Sequence, residues 1–63
     1  MDIVQNIMDL IKERKTTAYA VSKATGISSG NFSDWKSGKA KPSQKAIQKI
    51  ADYFDVSVDY LLG

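Results

Sequence analysis

The side chains best suited to chemistry in this chain are short hydroxyls, one amide, one carboxylate and a set of lysines, all crowded into its middle. Ser28, Ser29, Asn31, Ser33 and Asp34 come close together, and Lys36, Lys39 and Lys41 follow at once. Hydroxyls and amides on one helical face can meet base edges or phosphate oxygens. Lysines add point charges on flexible stems, which suit phosphates better than bases. Other chemistry is poorly provided for. The chain has no Cys and no His, so the commonest general base and the thiol nucleophile are absent. Zinc sites built on those residues are excluded with them. Asp52, Asp55 and Asp59 lack the spacing of a calcium-binding loop, and no Gly-rich phosphate loop occurs. Neither catalysis, a cofactor nor a small-molecule substrate is expected.

Net charge is only +2, but its distribution says more. From Trp35 to Lys49 there are five lysines and no acid; from Ile50 onward there are three acids and no base. A cationic segment followed by an anionic one implies one face for a polyanion and another turned away from it. The competing reading of the lysine run is ordinary solvated surface. No apolar run approaches the ~18 residues of a membrane helix, and no signal peptide opens the chain. A cytoplasmic protein with no membrane partner is expected. At 63 residues the chain makes one domain of modest stability, its core supplied by helix packing.

The elements that must position these side chains follow from periodicity and caps. Helices are expected over about 2–15, 18–25, 28–37, 43–54 and 57–62, an all-α, compact five-helix bundle. The first buries Ile3, Ile7, Leu10 and Ile11, with Met8 beside them. Thr16 or Thr17 caps the second, in which Ala20, Val21 and Ala24 are expected inside. Gly26 suits the left-handed conformation that ends it, and Ser28 caps the third. In that third helix Phe32 and Trp35 lie three apart and face the core. At 100° per residue, Gly30, Ser33, Asp34 and Ser37 then point outward, flanked by Ser29 and Asn31. Two short helices joined by a tight Gly turn form a helix-turn-helix, whose second helix commonly enters the DNA major groove. Tyr19 stands near the start of the earlier helix, exposed or half-exposed; it is either a partly buried aromatic or a phosphate contact. Lys36, Lys39 and Lys41 surround the loop after the reading helix, where a backbone clamp belongs. A phosphate contact from Arg14 or Lys15 is also conceivable.

Three segments in order, SKATGIS, FSDWKSGKAKPS and IADYFDVSVDYLLG, resemble the helix-turn-helix domain of the bacterial and phage repressors of the XRE type, which includes phage Cro and the lambdoid repressors. The resemblance covers nearly the whole chain. It implies a lambda-repressor-like fold and a transcriptional regulator, more often a repressor, that binds double-stranded DNA as a homodimer on a palindromic operator. By position it nominates Ser29, Gly30, Asn31, Ser33 and Asp34 for bases. It nominates Thr17, Tyr19, Ser28, Lys36, Lys39 and Lys41 for phosphates. Val58, Tyr60, Leu61 and Leu62 are the expected dimer face, with core closure as the competing reading. A protein anti-repressor or a C-terminal domain is a further partner the resemblance implies. The chain end at Gly63 matches the end of the family domain, so either a small regulator or an N-terminal domain is expected.

The sequence departs from its relatives at the reading positions. Related repressors often carry Gln or Arg there, and Gln where this chain has Ala18; Ser29 and Gly30 are far shorter. Either the backbone approaches DNA closely at Gly30 or the position is neutral. Asp34 would accept from cytosine N4, or lie to one side neutralised by lysine. The second functional reading, from a different class, is a protein-interaction or antitoxin-like module on the same fold.

Overall fold

Side-chain caps open all of the helices in the computed structural model, which describes residues 2–63. These are α1 (Ile3–Glu13), α2 (Ala18–Thr25), α3 (Ser29–Ser37), α4 (Gln44–Phe54) and α5 (Val58–Leu62), with no strand among the described residues. Asp2, Thr17, Ser28, Ser43 and Ser57 each accept a hydrogen bond from a backbone N–H two or three residues on. Each such cap contributes about 1 kcal/mol to its helix. Of the two threonines that could open α2, Thr17 does so, its Oγ1 accepting from the Ala20 N–H at 3.1 Å.

The helix ends depend on left-handed residues. Gly26 closes α2 at φ 78° and Gly38 closes α3 at φ 83°. Asp55 closes α4 at φ 58°. The first helix is shorter than its periodicity suggests. Asp2 is its cap, and at the far end Lys15 turns left-handed at φ 56° while the Thr16 N–H reaches back to the Ile11 carbonyl at 3.1 Å. The chain must reverse there to deliver Thr17 to the start of α2, so the helix stops at Glu13 with Arg14 as its C-terminal cap.

The core is built from helical stripes. Ile7, Leu10 and Ile11 of α1 and Ile47, Ile50, Ala51 and Phe54 of α4, each set with the spacing of a single buried face, join one core cluster. From the helix-turn-helix come Val21, Ile27, Phe32 and Trp35. The inner face of α2 is only partly the one expected: Val21 is buried as expected, with Ser22 beside it, but Ala20 and Ala24 are exposed and Ala18 and Thr25 half-buried. Residues 18, 21, 22 and 25 form a proper helical stripe, whereas 20 and 24 lie on the opposite side. The small size of alanine concealed the phase, because it fits either environment.

Packing separates α3 from α5. The third helix, α3, lies against α1 and α2, and α5 lies against α1 and α4. Two long-range hydrogen bonds fasten α1. Asn6 donates its Nδ2 to the Leu61 carbonyl at 2.8 Å, and Arg14 donates from Nη1 to the Phe54 carbonyl at 3.3 Å. The guanidinium also lies 5.8 Å from the centre of the Phe54 ring. Arg14 thus engages the C-terminal end of α4 through one of its donors, while its side chain stays exposed. Leu61, expected at a dimer face, is fully buried. It is a core residue, because the short α5 needs one large side chain driven inward to hold it down.

Candidate nucleic-acid interface

The outward face of α3 is fixed by what anchors its inward face. Phe32 and Trp35 are 2% and 6% exposed, and their rings pack at 4.7 Å between centroids, tilted by 57°. An aromatic pair of this kind anchors more firmly than its buried area alone. With those two residues inside, Ser29, Gly30, Asn31 and Ser33 are exposed together on the outer side. Asp34 differs. It is half-buried rather than fully outward, because it adjoins Trp35 at the end of the helix where the loop folds back. Its backbone carbonyl accepts from the Lys39 N–H at 2.8 Å, the Ala40 N–H at 3.2 Å and the Ser37 hydroxyl at 3.1 Å. These bonds fasten the loop carrying Lys39 and Lys41 to the end of α3.

The helix-turn-helix angle comes from local chemistry. The left-handed Gly26 ends α2, and the Thr25 hydroxyl donates to the Val21 carbonyl at 2.7 Å while accepting from the Ile27 N–H at 3.4 Å. Ile27 then enters the core, and Ser28 caps α3 by accepting the Gly30 N–H at 3.2 Å. Thr17 and Ser28, both exposed, cap through their oxygen lone pairs. A hydroxyl used this way keeps its O–H to donate to a phosphate oxygen. Tyr19 is 63% exposed at the start of α2, with the Lys23 ammonium 5.4 Å from its ring centre. That contact leaves the phenolic hydroxyl free.

Two surface clefts border α3. On one side, Ser29, Ser33 and Lys36 share a cleft of about 250 Å³ with the apolar Met8, Ala18 and Phe32. On the other, Ser28 and Asn31 share one of about 360 Å³ with Ser43, Lys45 and Lys49 of the α4 end. The second cleft adds two lysines that the sequence did not single out, Lys45 and Lys49. The signal was present in the acid-free run from Trp35 to Lys49, but the position of α4 beside the turn is a tertiary fact. Lys36, Lys39 and Lys41 are all exposed, and Lys39 and Lys41 line neither cleft. They stand on the loop beyond the C-terminal end of α3.

Two of the acids lie away from α3. Asp9 and Glu13 line a cleft of about 260 Å³ between α1 and α5, with Asn6 and Tyr60. Nearby on α5, Tyr60 and Leu62 are 56% and 52% exposed and Val58 is half-buried. Leu62 and Val58 border a small recess of about 80 Å³ with Ile47. Among the described residues there is no cluster of acids able to hold a metal ion. No described helix is long and apolar enough to cross a membrane.

The HTH-type transcriptional regulator AnsR of Bacillus subtilis (strain 168) is 28% identical over 60 residues, which is 95% of this chain and 52% of that protein. The chain therefore spans about half the length of this curated relative. No solved structure matches significantly. The family model described as helix-turn-helix matches residues 7–61, all of the chain except its two ends, and this chain belongs to the XRE-type helix-turn-helix family.

Proposed function

We propose that the chain is a sequence-selective DNA-binding domain of a cytoplasmic transcriptional regulator, acting as a repressor on a palindromic operator. The observation that carries this reading is the outer face of α3. It presents Ser29, Gly30, Asn31 and Ser33 to solvent from a helix locked inward by Phe32 and Trp35, with lysines at its C-terminal end. Family membership supports the same reading, since the family is one of DNA-binding regulators rather than enzymes.

The division of labour follows from chemistry. Lys36, Lys39 and Lys41, with Lys45 beside the turn, neutralise phosphates; Thr17, Tyr19 and Ser28 donate hydroxyls to the same backbone. Ser29, Asn31 and Ser33 face base edges, and Asp34 lies at the margin of that face. A homodimer forms through the exposed part of α5, Val58, Tyr60 and Leu62. Two-fold operators place reading helices about 34 Å apart. The Cα envelope of 24 × 23 × 21 Å, with side chains added, lets two neighbouring copies span one helical turn of DNA.

Selection from random duplexes tests this directly. The expected product is a dyad-symmetric consensus with half-sites one helical turn apart. Failure to enrich any sequence, with no binding near 50 mM salt, refutes the DNA reading. That outcome would favour a protein-interaction or antitoxin-like module, which the short side chains of the reading face also suit. For the dimer, sedimentation on operator DNA should give two chains per site, and Leu62→Ser with Tyr60→Ser should reduce this to one.

A further inference from the structure

Of Gly26, Gly30 and Gly38, Gly30 is the one whose missing side chain the fold does not require. It sits in the first turn, it is exposed, and its φ is not left-handed. A Cβ built there would meet only the Ser28 hydroxyl oxygen, at 3.5 Å, an ordinary contact. Gly26 and Gly38 are different, since both hold positive φ at helix ends. Glycine inside a helix is unfavourable relative to alanine. A residue that weakens its own helix, without relieving any clash inside the protein, points to something outside it.

We infer that Gly30 sets how deeply α3 enters the major groove: the bare backbone there approaches the DNA base edges too closely to admit a Cβ. This rests on the DNA-binding reading above. The position favours it. Gly30 lies between Ser29 and Asn31, and one turn before Ser33 and Asp34, at the centre of the outward face. Its neighbours have side chains too short to reach bases across a wide gap. Serine hydroxyls at 29 and 33 touch base edges only if the helix axis sits deep, and the missing Cβ at Gly30 allows that depth. Glycine and the two serines thus form one device, in which close approach replaces the reach of Gln or Arg.

The test is Gly30→Ala in the full chain, followed by thermal melting and by titration of two duplexes. One is the operator selected by the wild-type protein, and the other is a random duplex of equal length. The variant should melt a few degrees higher, as about 4–8 °C accompanies each kcal/mol of helix stabilisation in so small a domain. It should bind the selected operator at least about fivefold more weakly, the low end of what one forced methyl costs in a close-packed contact. Binding to the random duplex should be unchanged. A variant that melts higher yet binds the operator as the wild type does overturns the inference while leaving the DNA reading intact. Equal loss on both duplexes also overturns it, since the effect would then not come from base contact. If the wild-type protein binds no duplex at all, the DNA reading itself fails and takes this inference with it.

Discussion

Replacing Lys36, Lys39 and Lys41 together with alanine separates a phosphate clamp from solvated surface charge. All three lysines are exposed, and the loop bearing Lys39 is held by backbone bonds to the Asp34 carbonyl that no lysine side chain supplies. The triple variant should therefore fold, with each substitution changing stability by no more than about 0.5 kcal/mol. Its DNA binding should change in a specific way. Each phosphate neutralised adds about 0.9 to the slope of log affinity against log salt concentration. Three lost contacts lower that slope by about 2.7, so between 50 and 200 mM salt the wild-type affinity should fall about fortyfold further than the variant's. Fluorescence anisotropy on one labelled duplex across that range reads the difference. Lys12→Ala is the reference, because Lys12 is exposed on α1 and lines neither cleft beside α3. Lys45→Ala should behave like a clamp residue and lower the slope by about one further unit. Parallel salt dependences for the wild type and the triple variant would refute the clamp. A shift equal to that of Lys12→Ala would reduce it to general charge.

Other perturbations test the scaffold and the reading face. Trp35→Ala should cost about 3–5 kcal/mol, a large share of the stability of so small a domain; a far-UV melt like that of the wild type would contradict the packing of α3. Gly26→Ala meets no neighbour within 4 Å, so its cost is the left-handed backbone alone, about 1–2 kcal/mol, read as a lower melting temperature with the core unchanged. Asp34→Ala distinguishes two roles across single-base operator variants: loss of preference at one base pair marks a cytosine contact, whereas tighter binding to every sequence marks simple repulsion of phosphates.

Much of this architecture could be read along the chain, and the misreadings are instructive. Caps and left-handed glycines were legible because they act within a few residues: Thr17, Ser28 and Ser43 bond the next turn, and Gly26 and Gly38 close the one before. The inward pair Phe32 and Trp35 was legible for a related reason, since large aromatic side chains three apart leave only one helical phase that buries both. Alanine carries no such information, so Ala20 and Ala24 read as inward with Val21, whereas Ser22 is the residue that joins Val21 on the buried side.

The residues alone thus determined an all-helical chain, a turn at Gly26, and a polar face of Ser29, Gly30, Asn31 and Ser33 backed by aromatics. Tertiary packing decided what the chain order leaves open. It set α4 beside the turn so that Lys45 and Lys49 join Asn31, engaged Arg14 with the end of α4, and sank Leu61 while leaving Tyr60 and Leu62 outside. The physical reason is range. Caps and periodicity follow from interactions within one or two turns, whereas the surface a lysine or leucine shares depends on which distant helix packs against its own.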